Sequence, residues 1–350
     1  MGRRGGRIAL SLGATLAAVL VAEVALRAMD VRPDRYPQTA RFETEDKRVG
    51  LDLYPDDPDG AFPLDLRDAE ARAPWLRRFP ALAERWERTP HGVPFRYSEE
   101  LCRGEVPPRT DRRRVLVIGD SFSEGQGVVE ADTFAARLRE RLDADVINCG
   151  RRGYDFPTLR SWFDDRLSLQ PDVTLYAMVL NDPQRGEAFQ ARQRYIDDWI
   201  VDRRRMVGEG DGRPPLWEPR FFTVLADRLE GVRVQAETTR WYREMVGPEN
   251  AEGWAATLDH VEAMHAAMEA RGGRLVVALW PLLVSFDDYP FEDTHRTIVR
   301  DLEARGVTVV DTLDAFRGEE AERLWVHPAD RHPAARAHAR FADAVTPALR

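Results

Sequence analysis

From Arg114 onward, short apolar runs rich in β-branched residues alternate with stretches of helical period, and no other feature restricts the fold as strongly. The runs are Val115–Ile118, Asp145–Asn148, Val173–Leu180, Leu275–Trp280 and Val307–Val310. Thr133–Leu142, Leu159–Leu169 and Ala334–Leu349 read as helices, and another precedes the fourth run with Trp254, Leu258, Val261 and Met268 on one face. Continuous apolar strands separated by helices argue for an α/β fold with a five-stranded parallel sheet covered on both sides. In such sheets a ligand site forms beyond the carboxyl ends of the strands.

The polar residues at those ends make a coherent chemical set. The first strand runs into Gly119-Asp120-Ser121-Phe122-Ser123, and the second into Asn148-Cys149-Gly150, with Gly153 three residues on. The third ends in Asn181-Asp182, and Asp330-Arg331-His332-Pro333 stands just before the last helix. Two of the three asparagines in the chain fall at these ends. Together they supply a nucleophile, a base, an orienting carboxylate and amide donors. Ser121 could instead be an ordinary helix N-cap, but that accounts for one serine and not for the other three positions.

In these residues the chain resembles the SGNH hydrolases, also called the GDSL esterase/lipase superfamily, over about Arg114–Arg350. The segment Val115–Val128 resembles the first motif block, Gly153 the second, Asn181 the third, and Asp330 with His332 the last. The resemblance implies a three-layer α/β/α flavodoxin-like sandwich with strand order 2-1-3-4-5. It implies a triad of Ser121 as nucleophile, His332 as base and Asp330 as the carboxylate that orients the imidazole. It also implies an oxyanion hole built from the N–H groups of Ser121 and Gly153 and the side-chain amide of Asn181. No cofactor and no metal are expected. His327, Asp330, His332 and His338 lack the spacing of a zinc helix.

Two departures from the family pattern stand out. Val179 occupies the place of a frequent glycine in the third block, and Asp330 and His332 are separated by one residue rather than two. Residues two apart in an extended strand lie ~6.6–7 Å apart, so a local turn is expected between them. His327 is the rival base. Asp182 reads as a structural hydrogen-bonding residue, and Arg151-Arg152 as a solvated pair or a greeting for an anionic substrate.

The N-terminus bears on location. Ile8–Ala22 is apolar or neutral without a break, follows Arg3, Arg4 and Arg7, and continues its apolar character to Met29 despite Glu23 and Arg27. As a helix, Ile8–Met29 is about 33 Å long, enough to cross a bilayer. Glu23 and Arg27, four apart, can pair near its end. The leading arginines predict a single-pass transmembrane anchor with the remaining chain outside the cytoplasmic membrane, in the periplasm. A cleaved signal peptide is the open alternative.

The domain reading is residues 1–30 as membrane anchor or signal, 31–113 as stalk and packing segment, and 114–350 as the catalytic domain. Residues 183–253 form an insertion, a candidate cap. Asp56–Gly60 is turn chemistry, Ala69–Trp86 a short helix, and Arg203–Gly212 a mobile loop. Phe221, Phe222, Leu225 and Leu229, then Trp241 and Tyr242, have helical spacing and read as a packed cap.

A net charge of −9, with no long basic tract, argues against nucleic acid as a partner. Cys102 and Cys149 are too few for a disulfide scaffold, and leave one bridge open. The expected function is hydrolysis of a small-molecule, glycan or lipid ester by a serine esterase. An O-acyltransferase acting on cell-envelope glycan and a catalytically silent binding module remain alternatives. No block reports the identity of the ester.

Overall fold

The computed structural model describes residues 2–29, 31, 96–191, 216–327 and 330–350. The turn at 56–60, the helix expected over 69–86 and the loop at 203–212 lie outside the described residues. Helix α1 spans Gly2–Ala28. A parallel five-stranded sheet follows, built from β1 (Arg113–Gly119), β2 (Ala144–Asn148), β3 (Val173–Met178), β4 (Arg274–Leu279) and β5 (Thr308–Asp311). Its order is β2-β1-β3-β4-β5. Val115 to Ile118 are fully buried. Helices cover both faces, which is why this strand carries no polar alternation.

The connecting helices are α2 (Ser121–Glu124), α3 (Phe134–Arg141), α4 (Thr158–Arg166), α5 (Arg220–Glu244), α6 (Ala251–Glu269), α7 (Glu292–Glu303) and, after the hairpin β6–β7, α8 (Ala335–Leu349). The hairpin pairs Trp325–His327 with Asp330–Pro333 in antiparallel fashion. Thr133 caps α3 by accepting the N–H of Ala136 at 3.2 Å, the usual reason for Thr at a helix start. On α6, Trp254, Leu258, Val261 and Met268 are all buried, as their spacing predicts.

Helix α7 and the hairpin have no counterpart in the sequence reading. The buried positions of α7 are Thr294, His295, Ile298 and Leu302, so half of its inner face is polar. Behind the sheet, Trp280 is fully buried and stacks on Phe341 with centroids 3.9 Å apart.

The chain divides into two compact units, Met1–Arg48 with Arg194–Thr238, and Val49–Gln193 with Thr239–Arg350. The sheet lies in the second. Strand order reverses about β1 and β3, the position where doubly wound sheets open a crevice at their carboxyl ends.

Candidate active site

β1 stops at Gly119, where φ is +145° and an added Cβ would come within 2.6 Å of the Ala177 carbonyl oxygen. Only glycine fits, and the chain turns there into the single turn of α2. Asp120 caps that turn, its Oδ1 accepting the Phe122 N–H at 2.8 Å. Ser121 is the first helical residue.

His332 reaches Ser121 from β7. Its Nε2 lies 2.8 Å from Ser121 Oγ, and its ring stands edge-on to Phe122 with centroids 5.5 Å apart. The hairpin is fastened by the Trp325 indole N–H, which donates to Leu283 O at 2.8 Å. β7 is extended through Asp330–Pro333, so the expected local turn between Asp330 and His332 is absent from the main chain. Asp330 pairs with His327 across the hairpin. The side chains of Asp330 and His327 lie outside the described residues.

Gly153 follows β2 with φ +76°, and nothing stands within 4 Å of where a Cβ would be. Nearer the strand the packing is tight. A Cβ on Gly150 would lie 2.4 Å from the Glu124 nitrogen, so the loop after β2 presses directly on the serine turn. Asn148 ties the two loops, giving Nδ2–H to Ser123 O at 2.9 Å while its Oδ1 accepts the Gly150 N–H at 3.0 Å.

Asn181 follows β3, and its amide favours the charged form of the Asp120 carboxyl. Val179, in place of glycine, is accommodated because Asp182 closes the turn. Its N–H reaches Val179 O at 3.0 Å, and its Oδ2 accepts the Val179 N–H at 3.0 Å and the Tyr176 hydroxyl at 2.9 Å. Burial, with the charge of Asp120, pushes the Asp182 carboxyl well above its ordinary range. Burial likewise pushes Asp120 up to about 6, against the Phe122 N–H, the charge of His332 and the Asn181 amide.

Residues ahead of β1 enter the site unannounced by sequence. Arg103 is 1% exposed and donates to the carbonyls of Glu124 (2.5 Å), Gly125 (2.8 Å) and Val128, the main chain just after Ser121. Its own N–H bonds Asn148 O at 2.6 Å. Tyr97 hydrogen-bonds the buried Glu124 carboxylate, which Arg152 also meets at 2.9 Å. Arg151 lies over the Tyr97 ring, 4.7 Å from its centroid. Arg152 is therefore an ion-pair partner of Glu124, not a merely solvated charge. Burial pushes the Tyr97 phenol up to about 12, and lowers the Arg103 guanidinium to about 10, still charged at neutral pH. The bridge left open by sequence is made: Cys102 and Cys149 form a disulfide.

His295 was also missed. Fully buried, it holds Asp311 Oδ1 at 2.9 Å by Nδ1 and the Tyr289 hydroxyl at 3.2 Å by Nε2. This joins the end of β5 to the loop before α7. Among the described residues, no cluster of His, Cys, Asp or Glu is arranged to hold a metal ion.

Over residues 117–340 the chain matches the GDSL-like Lipase/Acylhydrolase family. The chain belongs to this family. It is thus a GDSL-type hydrolase acting on ester bonds. Solved structures similar to it include TesA, 16% identical, covering 68% of this chain and 98% of TesA with a TM-score of 0.41. A catalytic mutant of Axe2, an acetylxylan esterase from Geobacillus stearothermophilus, is 13% identical over 66% of this chain and 91% of its own, TM-score 0.37. A GDSL-like lipase from Bacteroides thetaiotaomicron is 12% identical over 69% and 90%, TM-score 0.37. No curated protein matches significantly.

Proposed function

We propose that this GDSL hydrolase is a serine esterase working through an acyl-serine, with Ser121 as nucleophile and His332 as its base. The observation carrying the reading is the 2.8 Å separation of His332 Nε2 and Ser121 Oγ. His332 takes the hydroxyl proton as Oγ attacks the ester carbonyl, then gives it to the departing alkoxide. A water molecule, deprotonated by the same nitrogen, cleaves the acyl-serine and releases the carboxylic acid. Asp330 is assigned the orienting carboxylate by its motif position.

The developing oxyanion would be met by the N–H groups of Ser121 and Gly153 and by the Asn181 amide. An amide nitrogen carries two hydrogens, so the Asn181 side chain has donors to offer the oxyanion. The open space at Gly153 is compatible with a substrate oxygen there. The substrate is a small-molecule, glycan or lipid ester.

The domain reading accompanies this proposal: a membrane segment over 1–30, a stalk and packing segment over 31–113, and a catalytic domain over 114–350 with the insertion 183–253. The anchor is supported by Leu10–Ala28, a helical stretch of mean hydropathy 1.7 with none of its apolar window buried. Placement outside the cytoplasm is supported by the three leading arginines and by the Cys102–Cys149 disulfide, which persists in oxidising compartments.

The test is p-nitrophenyl acetate turnover by the full chain and by Ser121→Ala. Serine-dependent release of p-nitrophenol is expected. Equal turnover by both proteins overturns the assignment.

A further inference from the structure

Helix α5 starts against the C-terminal end of α1, and the contact is polar. Glu23 accepts the N–H of Phe221 at 2.8 Å and that of Arg220 at 3.2 Å. Arg27 holds Glu23 at 2.6 Å and donates to the carbonyls of Leu216 (2.9 Å) and Glu218 (2.8 Å). A carboxylate on the first N–H groups of a helix satisfies orphan donors and complements the helix dipole. The start of α5 is therefore pinned to the last two turns of the apolar helix.

Beyond that point α5 exposes an apolar stripe. Phe222, Leu225, Leu229 and Val232 recur at i, i+3, i+7 and i+10, and are 58%, 48%, 65% and 68% exposed. Leu216 and Trp217, just ahead, are 85% and 82% exposed. Apolar residues lie on the covered side too, where Val234 is buried and Phe221 and Val224 are half-buried. Among the described residues no packed cap covers Phe222, Leu225 and Leu229.

We propose that this stripe, with Leu216 and Trp217, lies in the interfacial layer of the bilayer crossed by α1, as a second, in-plane membrane contact. The inference rests on the anchor reading given above. The stripe begins where the apolar helix ends, inside the same compact unit. Trp217 suits the headgroup level. Exposed Arg228 and Arg233 flank the stripe on its two edges, where arginines meet anionic headgroups while the side chains between them enter the acyl boundary. Bilayer is what already surrounds that helix end, which favours lipid over a second copy of the chain.

The test uses the full chain in vesicles of phosphatidylethanolamine and phosphatidylglycerol. A polarity-sensitive fluorophore is attached at Leu225→Cys, Leu229→Cys or, on another exposed side, Gln235→Cys. A nitroxide carried on the upper acyl chain should cause about a twofold loss of emission at the first two positions and little at the third. Equal quenching of all three by aqueous iodide, or cross-linking of copies through Leu229→Cys with no lipid quenching, overturns the proposal. The N-terminus of protein from cell membranes separates the two readings. A mature chain lacking α1 in the soluble fraction overturns the anchor and this proposal together. An intact N-terminus in the membrane fraction, with stripe labels open to iodide, overturns the stripe alone.

Discussion

His332 Nε2 stands 2.8 Å from Ser121 Oγ across 211 residues of sequence. Neither residue is held there by its own segment alone. Gly119 and Asp120 aim the serine, and the β6–β7 hairpin, fastened at Trp325, delivers the imidazole. Ser121→Ala and His332→Ala should each lower ester turnover by at least about 10⁴-fold, whereas His327→Ala should leave most of it. A serine-directed fluorophosphonate should label wild type and not Ser121→Ala. Activity that survives in His332→Ala but not in His327→Ala would reverse the assignment of the base.

Asn181→Ala removes one donor from the place where the oxyanion would form. It should lower kcat by about 10²–10³ with little effect on thermal unfolding. The readout is kcat beside Tm. An unchanged kcat is incompatible with the oxyanion role.

Gly150→Ala should disturb the site without touching a reactive group. Its Cβ would meet the Glu124 nitrogen at 2.4 Å and the Ser123 carbonyl carbon at 2.5 Å, both main-chain atoms that cannot swing away. The serine turn must shift, and a misplacement of about 1 Å at a reacting group costs on the order of 10²-fold in rate. Steady-state kinetics on protein with a native far-UV spectrum checks this.

Opening the Cys102–Cys149 bridge frees a closed loop with a sequence separation of 47. Chain entropy for a loop of that length amounts to roughly 4 kcal/mol. Cys102→Ser/Cys149→Ser should therefore unfold at clearly lower denaturant concentration than the oxidised wild type. Superimposable unfolding curves would show that the bridge contributes nothing.

His338 sets a pH dependence. Burial lowers its imidazole to about 3 in the folded chain, where Nδ1 accepts the Phe134 N–H at 3.2 Å. The unfolded chain protonates this residue near pH 6.5, so it binds the proton that the fold refuses. Stability is thus complete above that pH and declines as pH falls toward 3. Between pH 7 and 5 the loss from this residue is roughly 2 kcal/mol. In His338→Asn, which keeps an acceptor but does not titrate, that part of the pH slope should disappear from denaturant midpoints measured across the range.

What could be read beforehand divides by physical cause. The first four strands were legible because burial on both faces demands unbroken apolar runs, and Ser121 and Asn181 because they follow two of those runs. Helix α7 escaped because Thr294 and His295 occupy core positions that a hydrophobic pattern assigns to water. The hairpin escaped because strands as short as Trp325–His327 and Asp330–Pro333 carry too few residues to alternate. Phe222, Leu225 and Leu229 were seen as a helical face, but identical spacing serves a protein core and a lipid surface, and only exposure separates them. Arg103 had no signal. A charged side chain in a segment rich in Pro, Asp and Arg reads as solvated until its carbonyl partners are seen.

The placement of Arg103 bears on how this enzyme could be exchanged between scaffolds. The family match begins at residue 117, yet the guanidinium that binds three main-chain oxygens beyond the serine comes from upstream of it. Grafting residues 114–350 onto a different N-terminal segment would carry the proposed Ser121, His332 and Asp330 across. It would also strand those oxygens, the Glu124 carboxylate's Tyr97 contact and the Cys149 sulfur without their partners. A recombination point that preserves the catalytic unit therefore lies ahead of Tyr97, and the heritable module is longer than its signature.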